Sequence, residues 1–182
     1  MNLFRKQVHF LLEILMVEKV AKFEKISLHQ WDKDTDPMLT LAAKQKLLET
    51  IPMPKRATKG SAGYDISTPY DIDLAPNEEI NVPTGLKCKI ANGWFMGAFP
   101  KSGLGFKYYV RLANTIGVID EDYYNNENNE GHMWVKIRNE GSKPLHIDAY
   151  KGICQVIFIP YGITEDDEAD GIRKGGFGST NS

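Results

Sequence analysis

The chain has 182 residues, a length that fits one domain with a small appendage and is too short for two full ones. Lys and Arg number 22 against 24 Asp and Glu, a formal net charge of −2, which excludes a protein that coats nucleic acid by bulk charge; a polyanion would need a local site. Hydrophobic residues at 42% and charged residues at 25% are globular proportions and exclude a disordered chain.

Residues 8–20 form the most apolar stretch near the start. Glu13, Glu18 and Lys19 interrupt it, no small-residue cleavage site follows, and it falls short of the roughly 18 apolar residues that span a membrane. The expectation is a cytoplasmic protein with no membrane partner. Met16 is a second potential start, so residues 1–16 read as an extension outside the fold and 17–182 as a single domain. Residues 17–28 are strand-like. Asp36 is placed to cap one N-terminal helix, with Pro37 in its first position and good helix formers through Ile51. Pro52 and Pro54 end that helix.

Beyond it, period-two alternation takes over. Tyr70, Ile72 and Leu74 alternate with Asp71 and Asp73, and Ile80 to Ile90 alternate over six apolar or small positions. Pro83 lacks a donor and marks that strand as an edge or a bulge. Residues 94–99 and 153–159 are continuous apolar runs that read as strands covered on both faces, and Met133, Val135 and Ile137 alternate again. Turn residues separate these runs at 75–77, 91–93, 140–142 and 160–162. Short strands at such spacing predict an all-β sandwich or barrel. The domain then divides into a strand and helix over 17–51, a β core over 52–164, and an acidic linker with a C-terminal tail over 165–182. Cys88 and Cys154 lie inside apolar runs and read as reduced, buried thiols.

Chemistry concentrates in a few segments. In the tail, Arg173, Lys174, Gly175, Gly176, Phe177, Gly178, Ser179 and Thr180 combine cations, hydroxyls and a backbone free to approach an anion. Phe177 is placed to stack on a flat base as a lid; the competing reading is a frayed terminus. Pro100-Lys101-Ser102-Gly103-Leu104-Gly105 ends an apolar strand with a cation and a hydroxyl. Residues 114–124 hold two apolar stretches separated by Gly117, a pattern for a bent hairpin with free backbone groups. Asp120 there is a candidate general base; the alternative is that Asp120 and Asp122 only form turns. Gln155, polar within a buried run, either bonds backbone or faces a site. His9, His29, His132 and His146 show no metal-ligand spacing.

Taken in order, these segments resemble the homotrimeric dUTP pyrophosphatases, or dUTPases. The likeness covers residues 54–180 in five blocks: Ala57-Thr58 with Ser61-Ala62-Gly63-Tyr64-Asp65; Pro100 to Gly105; Asn114 with Gly117 to Tyr123; Gly152-Ile153-Cys154-Gln155; and Arg173 to Thr180. The resemblance implies a jelly-roll-like all-β fold, a threefold homotrimer with sites between subunits, and hydrolysis of dUTP to dUMP and pyrophosphate with Mg²⁺. It implies that Asp120 positions the attacking water and that Tyr123 packs under deoxyribose. Asn114 and the Gly117, Val118 and Ile119 backbone would read uracil, and Lys101, Ser102, Gly103 and Gln155 would hold phosphates. Phe177 and Gly178 would close over the base with a mobile tail, Arg173, Ser179 and Thr180 would sit near the outer phosphates, and Asp65 would support the site from behind. The metal would be held by the triphosphate and waters, with no protein ligand.

Four positions depart from the family pattern. Lys101 stands where arginine is usual and loses the bidentate fork. Gly152 replaces a basic residue, and Asn181 replaces a terminal glycine. The segment Tyr124 to Glu130 is a polar insertion, a candidate surface for a neighbouring subunit or a regulatory protein. Two other functions compete with the hydrolase: a dUTPase-like trimer serving as a regulatory binding module, and a dCTP deaminase, which would need a glutamate at the base where the hairpin reads Gly117 to Asp120.

Overall fold

The alternating segments become antiparallel ladders in the computed structural model, which describes residues 17–176. In chain order the elements are β1 (Ala21–Lys25), α1 (Leu28–Asp34), α2 (Leu41–Thr50), β2 (Tyr64–Ser67), β3 (Ile72–Leu74), β4 (Glu79–Pro83), β5 (Leu86–Ile90) and β6 (Trp94–Pro100). There follow α3 (Ser102–Tyr108), β7 (Val110–Leu112), β8 (Gly117–Ile119), β9 (Trp134–Asn139), β10 (Leu145–Ile147) and β11 (Gly152–Pro160). A four-stranded sheet runs β2-β11-β6-β8 and a three-stranded sheet β4-β9-β7; β1 pairs with β5 and β3 with β10. This is the expected all-β architecture, with one buried core holding Ile66, Val82, Leu86, Met96, Ile137, Ile153 and Val156.

The alternation over residues 80–90 belongs to two strands. Gly85 (φ +69°) breaks it, so β4 pairs with β9 while β5 pairs with β1. A side chain at Gly85 would meet Ile51 at 2.6 Å, so both the turn and the packing require glycine. Pro83 ends β4 on the edge of its sheet, where no donor is missed. In β6 and β11, Met96 to Ala98 and Ile153 to Cys154 are buried, but Ile157 to Ile159 are only half-buried in a single chain.

The N-terminal region departs most from expectation. Its strand is confined to β1, and two helices replace one. Ser27 caps α1, its Oγ accepting from the Gln30 amide at 3.1 Å. Ser27 and Gln30 have capping-box spacing, a signal the alternation obscured. The second helix starts four residues later than Asp36 implied, because Asp36 is engaged in its own turn: its Oδ1 accepts from Met38 N at 2.8 Å, and Thr40 becomes the cap. Trp31 of α1 is fully buried, its indole N–H donating to Lys44 O of α2 at 3.0 Å. Burial of one such side chain contributes about 1.5–3 kcal/mol, which fastens both helices to the β core. Cys88 and Cys154 are buried free thiols, and burial pushes both up to about 12. Among the described residues no helix is long and apolar enough to cross a membrane.

Candidate functional site

A cavity of about 240 Å³ opens beside the bent hairpin. Thr115 (φ +65°) turns the chain after Asn114, and β8 then pairs with β6 through Gly117 on Ala98. A Cβ at Gly117 would lie 3.2 Å from the Ala98 methyl, so the small pair lets the hairpin lie close to the sheet. Asn114, the strand Gly117–Ile119, Asp120 and Tyr123 form one wall, and Ile66, Ala98, Cys154 and Val156 form an apolar floor. A flat ring fits such a floor, with polar groups of the hairpin along its edge.

Asp120 precedes a 3₁₀ turn (Glu121–Tyr123) that swings the Tyr123 ring over the cavity. The phenol donates to His132 O at 2.9 Å and accepts from Asn129 Nδ2 at 2.8 Å; burial raises its pKa. Arg173 reaches the same place from the tail. Its Nη2 donates to Asp120 Oδ2 at 2.5 Å and its Nε to Asp122 Oδ1 at 2.6 Å. Gly176 lies against the tyrosine, where a Cβ would fall 2.6 Å from Cε2.

A second group forms around the end of β6. Lys101 Nζ is 2.5 Å from Asp65 Oδ2, and Gln155 Nε2 donates to Pro100 O at 3.3 Å. Gly152 leaves the room that Lys101 uses, because a Cβ there would lie 2.9 Å from Nζ. Gly63 does the same for Gln155, with Oε1 at 2.7 Å from its would-be Cβ. Ser102 and Gly103, both exposed, open α3 directly after Lys101.

The expected site residues therefore fall into two sets. Asn114, Gly117, Val118, Ile119, Asp120, Tyr123 and Arg173 share the cavity; Lys101, Ser102, Gly103 and Gln155 do not line it. The strand register explains the division. Ile66 pairs with Cys154 and Asp65 with Gln155. Side chains alternate across a sheet, so Ile66 and Cys154 face the cavity while Asp65 and Gln155 face away. Phe177, Gly178, Ser179 and Thr180 lie outside the described residues, as does Asn181. Sequence reasoning missed Gly63 and Asn129 as site residues. Gly63 carried only the weak signal of small residues before an acid.

The Tyr124 to Glu130 insertion is largely engaged within its own chain. Tyr124 donates to Glu24 at 2.6 Å, Asn125 accepts from Lys87 at 2.6 Å, and Glu130 accepts from Ser27 N at 3.0 Å. Asn126 Nδ2 donates to Tyr123 O at 2.8 Å. Glu127 and Asn128 are exposed at its tip.

Comparison with known proteins gives consistent results. The family model described as dUTPase matches residues 49–181. The deoxyuridine 5'-triphosphate nucleotidohydrolase of Lactococcus lactis subsp. lactis (strain IL1403) is 40% identical over 132 residues, covering 71% of this chain and 88% of that protein. The protein of the same name from Photorhabdus laumondii subsp. laumondii is 36% identical over 138 residues, 71% of this chain and 87% of that protein. The crystal structure of dUTPase from Streptococcus mutans matches with a TM-score of 0.61 at 31% identity, over 79% of this chain and 98% of that chain.

Proposed function

The chain belongs to the dUTPase family and is a dUTP diphosphatase, and from that premise we propose that its two groups of side chains are halves of one site, completed between copies of a homotrimer. The observation that carries this reading is the alternation along β2 and β11: Asp65 and Gln155 face away from the cavity that Ile66 and Cys154 line. One chain cannot bring both faces of one sheet to a single substrate, whereas a neighbouring copy in a closed ring can.

In this reading the cavity takes the deoxyuridine moiety. The Asn114 amide and the backbone of Gly117 to Ile119 bond the uracil edge, and the close hairpin leaves no space for a 5-methyl group. Against cytosine the same polar edge is left with unpaired groups, which rejects it strongly. The Tyr123 ring lies under the sugar and excludes a 2'-hydroxyl. Lys101 and the first-turn amides of α3 at Ser102 and Gly103, which have no partner within the helix, face the phosphates from the neighbouring copy, with Gln155 beside them.

Asp120 accepts a proton from water and directs its oxygen at the α-phosphorus; the bond to the bridging oxygen breaks, pyrophosphate leaves and dUMP remains. Arg173 holds Asp120 and Asp122 in the structure. A triphosphate, with roughly four negative charges, competes for that guanidinium and frees Asp120 to hold the water. The tail residues Phe177 to Thr180 then cover the base and phosphates, which excludes bulk water.

Mg²⁺ fits this site as a passenger on the triphosphate. Once the triphosphate has drawn Arg173 away, Asp120 is committed to the attacking water, and the ion's ligands in this reading are phosphate oxygens and water. Held by phosphate oxygens and water, the ion would offset part of the substrate's charge. The place of work is the cytoplasm, where free thiols such as Cys88 and Cys154 stay reduced. A regulatory partner on the insertion would meet Glu127 and Asn128, since most of the other side chains there bond their own chain.

Pyrophosphate release from dUTP, dTTP, dCTP and UTP in the presence of Mg²⁺ tests the reading. Turnover confined to dUTP is expected; comparable turnover of dCTP or UTP overturns the assignment of the hairpin and of Tyr123.

A further inference from the structure

The insertion that departs from the family pattern has one side chain bonded to Tyr123, whose ring lines the cavity. Asn129 Nδ2 donates to the Tyr123 hydroxyl at 2.8 Å, and that hydroxyl donates onward to His132 O at 2.9 Å. Both functions of the phenol, donor and acceptor, are thereby fixed in direction. Asn129 is itself immobilised. Its Oδ1 accepts from Gly131 N at 3.1 Å and from Asn126 Nδ2 at 2.8 Å, and its backbone N–H donates to Asn126 Oδ1 at 3.1 Å. Asn126 is 6% exposed. The anchor extends backward from His132, whose ring bonds Asp34 Oδ2 at 2.5 Å and accepts from Gly85 N at 2.9 Å. Asp34 ends α1, which lies outside the residues matched by the family model.

We propose that Asn129 is a positioning residue for sugar discrimination: it fixes the height and tilt of the Tyr123 ring, and so sets how strongly a ribonucleotide is excluded. The inference rests on the reading that Tyr123 lies under deoxyribose. A fully satisfied buried polar network specifies one arrangement, whereas an unanchored ring can yield space. A 2'-hydroxyl is small, so a shift of the platform by well under the width of an oxygen atom changes its exclusion, and a misplacement near 1 Å costs on the order of a hundredfold in a positioned reaction.

The experiment measures kcat/KM for dUTP and for UTP in Asn129→Ala, Tyr123→Phe and the double variant, with melting temperatures for each. Asn129→Ala is expected to lower the dUTP-to-UTP ratio by about tenfold or more, mainly by raising kcat/KM for UTP. In the Tyr123→Phe background, which has no hydroxyl to hold, the same substitution is expected to leave the ratio unchanged. An unchanged ratio in the Tyr123 background overturns the proposal, and so does an equal fall in both backgrounds, which would mean that Asn129 acts only by folding the loop. If Asn129→Ala does not fold, Asn129→Asp serves in its place: it retains the acceptors for Gly131 N and Asn126 and removes the N–H donor, and the same ratio is read. Tyr123→Ala separates the underlying reading. If it leaves the ratio unchanged, Tyr123 is not the sugar platform; if it lowers the ratio while Asn129→Ala does not, only the Asn129 proposal fails.

Discussion

Replacing Gly152 with alanine perturbs the phosphate half-site without touching any ligand-binding atom. The new Cβ would stand 2.9 Å from Lys101 Nζ and 3.3 Å from Asp65 Cβ and Cγ. The lysine tip is the part able to move, so the ammonium swings away and its contact with Asp65 lengthens. Stability changes little. Lys101 and Asp65 side chains are 34% and 45% exposed, and such a pair contributes about 0–1 kcal/mol. Gly→Ala at an ordinary φ restricts the unfolded chain and returns about 0.4–1 kcal/mol. The two nearly cancel, so the melting temperature stays within about 4 °C. Activity responds differently. A charge-assisted contact to phosphate contributes about 1.5–3 kcal/mol, so its displacement lowers kcat/KM for dUTP by roughly ten- to a hundredfold. Steady-state pyrophosphate release and a thermal melt on the same preparation decide the matter. Unchanged kcat/KM would refute the placement of Lys101 through this gap, and a large fall in melting temperature would show that Gly152 is needed for folding instead.

Asp120→Asn is expected to lose about 10²–10⁴ in turnover while dUTP binding and assembly persist; the melting temperature moves little, because Asp120 is 47% exposed at its ion pair with Arg173. Normal single-turnover rates would remove Asp120 from the role of base. Acid stability is governed in part by Asp34. Burial alone would raise it, but hydrogen bonds from His132 and Gln30 outweigh burial and hold it below its ordinary value of 3.8. The folded pKa is depressed, so its contribution is complete above that ordinary value and is lost as pH falls through the folded one. Asp34→Asn should flatten this part of the melting-temperature profile; an unchanged profile would assign acid unfolding to other carboxylates.

Strands with one buried face were legible because alternation is imposed locally by the pleat: 72–74 and 134–139 lie where the pattern put them, and 79–83 and 86–90 fall within the stretch read as one strand. The break at Gly85 was not legible, since Thr84 and Leu86 keep the period while the chain changes sheets. The N-terminal helices were misread because Asp36 offers a cap that its own turn consumes, and because Trp31 is held by tertiary packing that no local propensity announces. In the site, Asn114, Asp120 and Tyr123 were singled out from the hairpin, and the structure places all three along one cavity. Their separation from Lys101 and Gln155 was hidden. It follows from the register of β2 against β11, a pairing between residues far apart in the chain. The inward turn of Asn126 and Asn129 was hidden for a similar reason: a run of amides reads as a solvated loop until a partner such as the Tyr123 hydroxyl is in place.

Complementation shows whether one substrate is served by opposite sheet faces of two copies. Asp120→Asn and Lys101→Met chains, each weakly active alone, are mixed, dissociated and reassembled, and pyrophosphate release from dUTP is measured. If each site draws Asp120 from one copy and Lys101 from another, random reassembly leaves about a quarter of the sites intact, and activity returns to about that fraction of the unmodified enzyme. If both residues served a site within one chain, every site would carry a defect, and no recovery above the two separate variants would contradict the account.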